Sequence, residues 1–461
     1  MAVELNFMQN ETIRFRIWLI LYCLVSFYVF MTVYRTQPTS FIDEIFHVRQ
    51  AKFYCDGQFN QWDDKITTLP GLYLFTVGIY GPLSLLGIVT ECSVFLLRGM
   101  NLIISVANFY IIYTILQSID TMKRTKRRYH VWDAFNISIF PVMYFFNFLY
   151  YTDTLSTFSV LLMFRLHLAE NFIIASFIGL LSVLIRQTNI VWVGFFLLDA
   201  LHQCYLKSLQ KTNYSKNRTS SFHGELLLAA NTLLTQTGIF NLLSHITGYA
   251  SLCILFLAFM FWNKGIVVGD RTAHQPTIHF CQLFYFALFV AIFSAPSLLS
   301  VIRSFARFCT VNFYKILFVA SLMTNIVYYN TMAHPYLLAD NRHYAFYVWK
   351  NLYQKNILMR YILIPLYIFS FYAMSKYLEK TSWRYIYWLS VCLLLVPHKL
   401  LEFRYFILPF IMLRISMEAR NRWQLALESI LFSSINVITI YIFVNKKFYW
   451  NDSNEVQRII W

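Results

Sequence analysis

Residues 94–128 read VFLLRGMNLIISVANFYIIYTILQSIDTMKRTKRR, an apolar run from Val94 to Leu116 followed by the densest basic cluster in the chain. A helix of about 20 apolar residues crosses the roughly 30 Å of a bilayer's hydrocarbon. The run is long enough, and the cluster at Lys123–Arg128 marks a cytoplasmic exit, because short loops rich in Lys and Arg stay on that side. This stretch sets the fold class, an all-α polytopic membrane protein, and orients everything around it.

The composition agrees. The 461 residues are 58% hydrophobic and 19% aromatic with only 13% charged, so counting soluble domains by length does not apply. The net charge of +16 resides in short loops between apolar runs, which points to membrane anchoring rather than nucleic-acid binding. The eight cysteines, at 23, 55, 92, 204, 253, 281, 309 and 392, form no C-x-x-C pair and mostly lie in apolar runs. Neither a disulfide framework nor a zinc site is expected. His274 and His279 lack a clustered partner, so no metal site is expected there either.

Upstream, Ile17–Tyr34 reads as a retained first span, too long for a signal-peptide core and without a small-residue cleavage pattern. The next apolar stretch, Leu72–Val89, carries Gly78, Gly81, Pro82 and Gly87 and follows Gly71. It is expected to be a re-entrant or surface helix, because irregular backbone at membrane depth needs protein around it. Residues 35–92 then form a large first luminal loop. Downstream, spans are expected near 131–150, 152–168, 171–186, 189–205, 246–262, 280–300, 311–331, 356–375, 384–397, 405–417 and 426–444. The expectation is one polytopic domain over 1–461 with about 11–14 transmembrane helices and a cytoplasmic loop at 206–245. The N-x-S/T matches at Asn213 and Asn217 fall in that loop and should carry no glycan.

The polar segments assigned to the opposite face are 39–70, YYTD (150–153), RQTN (186–189), GDRTAHQPTIH (269–279), HPYLLADNRHYAFYVWK (334–350) and HKLLEFRY (398–405). They carry acids, arginines, histidines and aromatics, whereas the cytoplasmic loops carry mostly Lys and Arg. Chemistry is expected on that face.

Asp43 and Glu44 stand side by side in FIDEIFHVRQAKFYC, an expected helix of about four turns ended by Gly57. Ser40 followed by Asp43 resembles a capping box, so both acids could simply serve the first turn. Against this, Phe41, Ile42, Ile45, Phe46 and Val48 make the helix amphipathic, as for one lying on the membrane surface. His47 sits one turn after Asp43, close enough to tune it. Trp62, Asp63 and Asp64 follow, groups of the kind that hold a sugar, although Trp62 also fits an interfacial aromatic belt.

Arg186, Arg342 and Arg404 each lie beside apolar runs, where an uncompensated charge is costly and usually faces a partner or a cavity. Glu402 and Asp340 are structural ion-pair candidates for Arg404 and Arg342. A lipid-linked phosphate is the other reading, since a guanidinium fork matches its oxygens, with Lys399 and His343 on the same face.

FIDEIFHVRQAKFYC, WDDKITTLPGLY, RQTNIVW, GDR, HPYLLADNRHYAFYVWK and LLEFRYFILP, in this order, closely resemble the endoplasmic-reticulum α-1,2-glucosyltransferases that add the third glucose to the lipid-linked oligosaccharide for N-glycosylation. The chain departs mildly from that pattern, lacking a second proline in ITTLPG and a proline before Arg404. The resemblance implies a GT-C architecture with a site open to the lumen, dolichyl-phosphate-glucose as donor and a dolichyl-pyrophosphate-linked diglucosylated glycan as acceptor. It implies inversion at the anomeric carbon, with Asp43 as base and Glu44 binding or orienting the acceptor. Arg404 and Arg342, assisted by Lys399 or His343, would neutralise the leaving phosphate. His47, Trp62, Asp64, Asp153, Arg186, Gln187, Asp270, Arg271 and Asp340 are the expected substrate-binding residues. Neither metal nor other cofactor is expected. A mannose-using relative, a transporter and a channel-regulating membrane protein are the competing readings; a transporter would show a matching repeat in the second half, and none is apparent.

Overall fold

In the computed structural model, residues 2–123, 129–211, 236–271, 275–379, 381–417, 420–451 and 453–461 are described. Residues 124–128 of the basic cluster, Asn213, Asn217 and His274 lie outside them. The main helices are α1 (Ala2–Thr36), α2 (Glu44–Cys55), α3 (Gly71–Leu85), α4 (Val94–Lys123), α5 (His130–Ser138), α6 (Pro141–Phe146), α7 (Thr152–Leu168), α8 (Phe172–Ile185) and α9 (Ile190–Lys211). They continue with α10 (Gln236–Asn263), α11 (Cys281–Phe293), α12 (Ile302–Val311), α13 (Phe313–Asn330), α14 (Ile364–Leu378), α15 (Arg384–Leu395), α16 (Ile407–Ser416) and α17 (Arg422–Asn445). A small antiparallel pair, β1 (Phe448–Trp450) and β2 (Ser453–Gln457), follows.

The chain is therefore all-α and multi-pass, but with fewer rods than expected. Six described helices are long and apolar enough to cross a membrane, seven if the bent pair beginning at α11 counts as one. Proline accounts for part of the difference. The expected span at 131–150 is split into α5 and α6 at Pro141, and the one at 280–300 turns by 83° after α11, just before Pro296. Each ring removes a helix N–H and clashes with the preceding turn. The stretch at 72–89, expected to be broken by its glycines and proline, is instead one helix of 15 residues, α3, running unbroken through Gly78, Gly81 and Pro82.

Aromatic packing forms the centre. Phe140 stacks on Phe410 at 4.4 Å between centroids and meets Phe289, Phe293 and Phe432 edge-on. At one end of this core, Arg414 and Arg420 share Glu428, with Arg414 also paired to Asp133. Buried ions survive only when paired in this way.

All six polar segments meet at the other end. The amides of Val268 and Asp270 donate to the carbonyls of Thr67 and Asp64 at 3.3 and 2.9 Å. Gly269 makes this possible: at φ +69°, a Cβ there would lie 2.5 Å from the Asp64 oxygen. His279 N–H donates to Val396 O at 2.9 Å, and Gln282 Nε2 donates to the carbonyls of His398 and Leu400 at 3.0 and 2.9 Å. Cys55 and Cys92 form a disulfide that ties the end of α2 to the start of α4. This corrects the expectation of no disulfide: both cysteines flank the apolar run of α3, and the fold brings their loop ends together.

Candidate active site

The site is built on the turn before α2. Glu44 Oε2 accepts from Phe41 N–H at 3.1 Å, and Oε1 accepts from Tyr150 N–H at 2.8 Å. Arg98 of α4 donates to both oxygens, at 2.7 Å from Nε and 2.6 Å from Nη2, and also to the carbonyls of Gln37 and Thr39. Both side chains of this pair are 0% exposed. Glu44 thus welds the first loop to α4 and to the start of α7. It also holds Ile42 at φ +56°, a conformation costly for a β-branched residue and usually found where a site demands it.

Asp43 is the opposite case. It occupies the N-cap of α2 but makes no side-chain cap hydrogen bond, so the capping box anticipated from Ser40 and Asp43 is not formed. Its side chain is 48% exposed and meets Arg404 Nη2 at 3.2 Å. Two adjacent acids in the sequence have separate fates, one sealed into the frame and one facing outward.

Arg404 is the hub. It pairs with Glu402 through Nε, with Asp43, and with Asp153 Oδ2 at 3.8 Å, and its guanidinium lies 5.0 and 5.3 Å over the rings of Tyr151 and Phe146. Asp153 in turn accepts from Arg186 Nη1 at 2.5 Å. The turn carrying Tyr151 and Asp153 is fixed from α4, where buried Asn101 donates to the carbonyls of Leu149 and Tyr151 and Asn108 donates to that of Thr154. The result is a chain of alternating charges, Asp43–Arg404–Asp153–Arg186, with Asp153 the most buried member.

A cavity of about 280 Å³ opens on Asp43 and Arg404, with Asp340, His343, Glu402 and Trp461 among its walls. A smaller one of about 30 Å³, lined by Asp153, Arg186 and Arg404, continues behind it. Asp340 is gripped at both oxygens by Arg342, at 2.9 and 2.7 Å. Burial would raise the Asp340 carboxyl, but these bonds and the nearby His343 outweigh it and hold the group below the usual carboxylate range. The chain's last described residues close the side: Ile460 N–H donates to Arg342 O at 2.7 Å, its carbonyl accepts from Tyr344 N–H at 3.0 Å, and His343 Nδ1 lies 3.0 Å from the Trp461 backbone oxygen. His47 adjoins Asp43 and contacts the Tyr73 hydroxyl at 2.6 Å. Burial, against the pull of Asp43 and with the help of Arg404, lowers its imidazole to about 4, so the ring is neutral near pH 7.

Of the residues singled out from sequence, Asp43, Arg404, Asp153, Arg186, Asp340 and His343 come together, with His47 beside them. Glu44 does not reach the cavity, because four hydrogen bonds hold it inside the protein. Arg342 does not line it either; its fork is spent on Asp340 and its plane lies 4.6 Å from the Trp450 ring. Lys399 is adjacent in sequence to the lining residue Leu400 but is not itself in the wall. Gln187 donates to Thr67 O at 3.0 Å, Arg271 to Asn263 at 2.7 Å, and Asp64 and Asp270 join two loops through backbone atoms. Trp62 packs 6.0 Å from Tyr73. These five serve the frame around the site. Of the apolar residues expected to form a membrane-surface face, Phe41 and Ile42 before α2 and Val48 on it are buried in protein and Phe46 is partly buried, while Ile45 is exposed, so most of that face packs inward. The overlooked partners are Arg98, Tyr151 and Trp461. Arg98 had a readable signal, a lone charge inside an apolar run; Trp461 had none.

The family model described as the DIE2/ALG10 family matches residues 37–415. Among curated relatives, a human Dol-P-Glc:Glc(2)Man(9)GlcNAc(2)-PP-Dol alpha-1,2-glucosyltransferase is 37% identical, over 95% of this chain and 96% of its own. Proteins of the same name from Drosophila melanogaster and Arabidopsis thaliana are 37% and 32% identical over 91% and 92% of the chain, and 93% and 95% of their own lengths. No solved structure matches. With the matched segment running through all six polar segments and these relatives covering nine-tenths or more of the chain, the chain belongs to the DIE2/ALG10 family.

Proposed function

We propose that this chain is an inverting α-1,2-glucosyltransferase that moves glucose from dolichyl-phosphate-glucose to the diglucosylated, dolichyl-pyrophosphate-linked oligosaccharide. The relatives that match 91–95% of the chain are named for α-1,2-glucosyl transfer with that donor and acceptor. The observation that carries the residue assignment is Asp43: a carboxylate at a helix start, unused as a cap, exposed in a cavity and 3.2 Å from an arginine.

In this reading the acceptor's 2-hydroxyl oxygen attacks the anomeric carbon of glucose while the bond from that carbon to the phosphate oxygen breaks. Asp43 takes the hydroxyl proton, and the lipid phosphate leaves on the opposite face with the bonding electrons, as in the single displacement of inverting glycosidases. Arg404 neutralises the departing phosphate. It is held by three carboxylates, so phosphate binding exchanges one of them. Exchange at the 3.2 Å contact with Asp43, the more exposed one, frees that base when the donor is seated. His343 and Asp340 line the sugar side, and Glu44 acts by holding the turn.

We place the reaction in the endoplasmic-reticulum lumen. The Cys55–Cys92 disulfide lies on the loop that carries Asp43, and disulfides persist in oxidising compartments. The test is transfer of labelled glucose by purified protein from dolichyl-phosphate-glucose to the diglucosylated lipid-linked glycan, beside dolichyl-phosphate-mannose as donor. Transfer from the glucose donor alone is expected. Preference for mannose, or no transfer by folded protein, overturns the proposal.

A further inference from the structure

A second cavity, of about 470 Å³, shares no lining residue with the one that opens on Asp43 and is lined by Arg303, Ser304, Arg307, Phe308, Val311, Asn312 and Tyr372. Its floor is α12, the segment that follows the 83° bend after α11. α11 begins at the Asp43 end of the molecule, where Gln282 bonds the carbonyls of His398 and Leu400. α12 follows that bend, and Ser300 just before it lies by Tyr377, which neighbours Arg414 and Arg420 at the end of the core opposite the polar segments.

The sequence of α12, IRSFARFCTV, is built for an interface. Ile302, Phe305 and Cys309 share one face, and Phe305 packs on Phe369 and Tyr372 of α14 at 5.0 and 5.3 Å. Arg303 and Arg307 lie four residues apart and so project from the same side one turn apart. Both are exposed, and no described carboxylate pairs with either guanidinium. The buried and half-buried arginines Arg98, Arg186, Arg342, Arg404 and Arg414 are bound by acids, whereas Arg303 and Arg307 face the open cleft. Phe308, 4.8 Å from Tyr372, supplies an apolar side to the same cavity.

We propose that this cleft binds the phosphate-bearing headgroup of an anionic phospholipid from the leaflet opposite the Asp43 cavity, with Arg303 and Arg307 as paired ligands. An in-plane amphipathic helix with basic residues on its polar face sits at the depth of lipid phosphates. Two adjacent guanidiniums chelate phosphate oxygens through charge-assisted hydrogen bonds. The aromatic wall of Phe308 and Tyr372 accommodates the start of the acyl region. The site is independent of the transfer reaction and needs nothing from Asp43.

The test uses the full-length protein purified from mixed micelles of phosphatidylcholine and phosphatidylinositol, with bound lipid counted by native mass spectrometry. Phosphatidylinositol is expected on wild type and about thirtyfold weaker on R303Q/R307Q, with phosphatidylcholine adducts and the unfolding temperature unchanged. R303K/R307K, which keeps charge without the fork, should retain an intermediate amount. Equal retention by wild type and R303Q/R307Q, or phosphatidylcholine held as tightly as phosphatidylinositol, overturns the site. Inorganic phosphate that displaces the lipid at comparable concentration marks a free-anion site and overturns the lipid assignment.

Discussion

Asp43→Asn and Glu44→Gln are near-identical changes at neighbouring positions, and the structure predicts opposite consequences. Asp43 is half exposed and has one ion-pair partner, at 3.2 Å, which Glu402 and Asp153 also hold. Its neutralisation should alter stability by no more than about 1 kcal/mol, the range of exposed pairs. As the base, however, its loss should slow transfer on the order of 10²-fold or more, about 2.7 kcal/mol of barrier. Glu44 is sealed with Arg98. Removing one charge of a buried pair leaves the other uncompensated, a loss of about 3–5 kcal/mol against a typical total of about 5–15 kcal/mol. Thermal unfolding in detergent and initial transfer rates should therefore separate the two: Asp43→Asn stable and inactive, Glu44→Gln markedly less stable. Wild-type turnover in Asp43→Asn would refute its role as base. A Glu44→Gln protein with unchanged unfolding temperature and lost turnover would refute the structural role given to Glu44.

Arg404→Lys keeps the charge but cannot span Glu402, Asp43 and Asp153 together, so kcat should fall on the order of 10²-fold with KM for the donor changing less; wild-type kcat would contradict phosphate stabilisation by the fork. His47 resists protonation until about pH 4 in the folded protein, against an ordinary value near 6.5. The unfolded chain then binds the extra proton between those values, so stability should be level above pH 6.5 and decline as pH drops toward 4. Unfolding temperatures of His47→Asn should lose part of that slope, and an unchanged slope rules His47 out as its source. The Cys55–Cys92 bond closes a separation of 37 residues, worth about 4 kcal/mol in the chain-entropy account; Cys55→Ser with Cys92→Ser should lower the unfolding temperature and make the first loop sensitive to protease, and unchanged protection would show that the loop is held by Glu44–Arg98 alone. Trp461→Ala removes a wall of the 280 Å³ cavity and should raise KM for the donor several-fold with kcat little altered, whereas unchanged KM would exclude Trp461 from the binding surface.

The fold class was legible because lipid imposes a simple code: long apolar runs, basic loops on one side, acids and aromatics on the other. Residue type marked six distant polar segments as one group, and the fold brings them together through contacts such as Asp270 N–H to Asp64 O and Arg186 to Asp153. The number of straight spans was less legible. A proline inside an apolar run such as the one at Pro141 splits it, and hydropathy does not register whether the two pieces remain collinear. The disulfide was hidden for a related reason: Cys55 and Cys92 are separated by α3, and only its return path brings them together.

Within the site, residue type was readable but orientation was not. Asp43 and Glu44 differ by one step on a helix, about 100° of rotation, and that rotation decides which acid meets Arg98 inside the protein and which meets the cavity. The arginines illustrate the same limit. Arg342 and Arg404 each had an acid two residues before them, and both pairs form. Yet Arg342 meets one acid, Asp340, through two short bonds, with Gln457 and the Trp450 ring as its other contacts, whereas Arg404 is divided among three acids and two aromatic rings. A cation held by several weak claims can release one of them to an incoming phosphate, and one locked in a bidentate pair releases its partner only at greater cost. That difference in partners, absent from the local sequence, assigns the donor phosphate to Arg404 and leaves Arg342 to hold the wall.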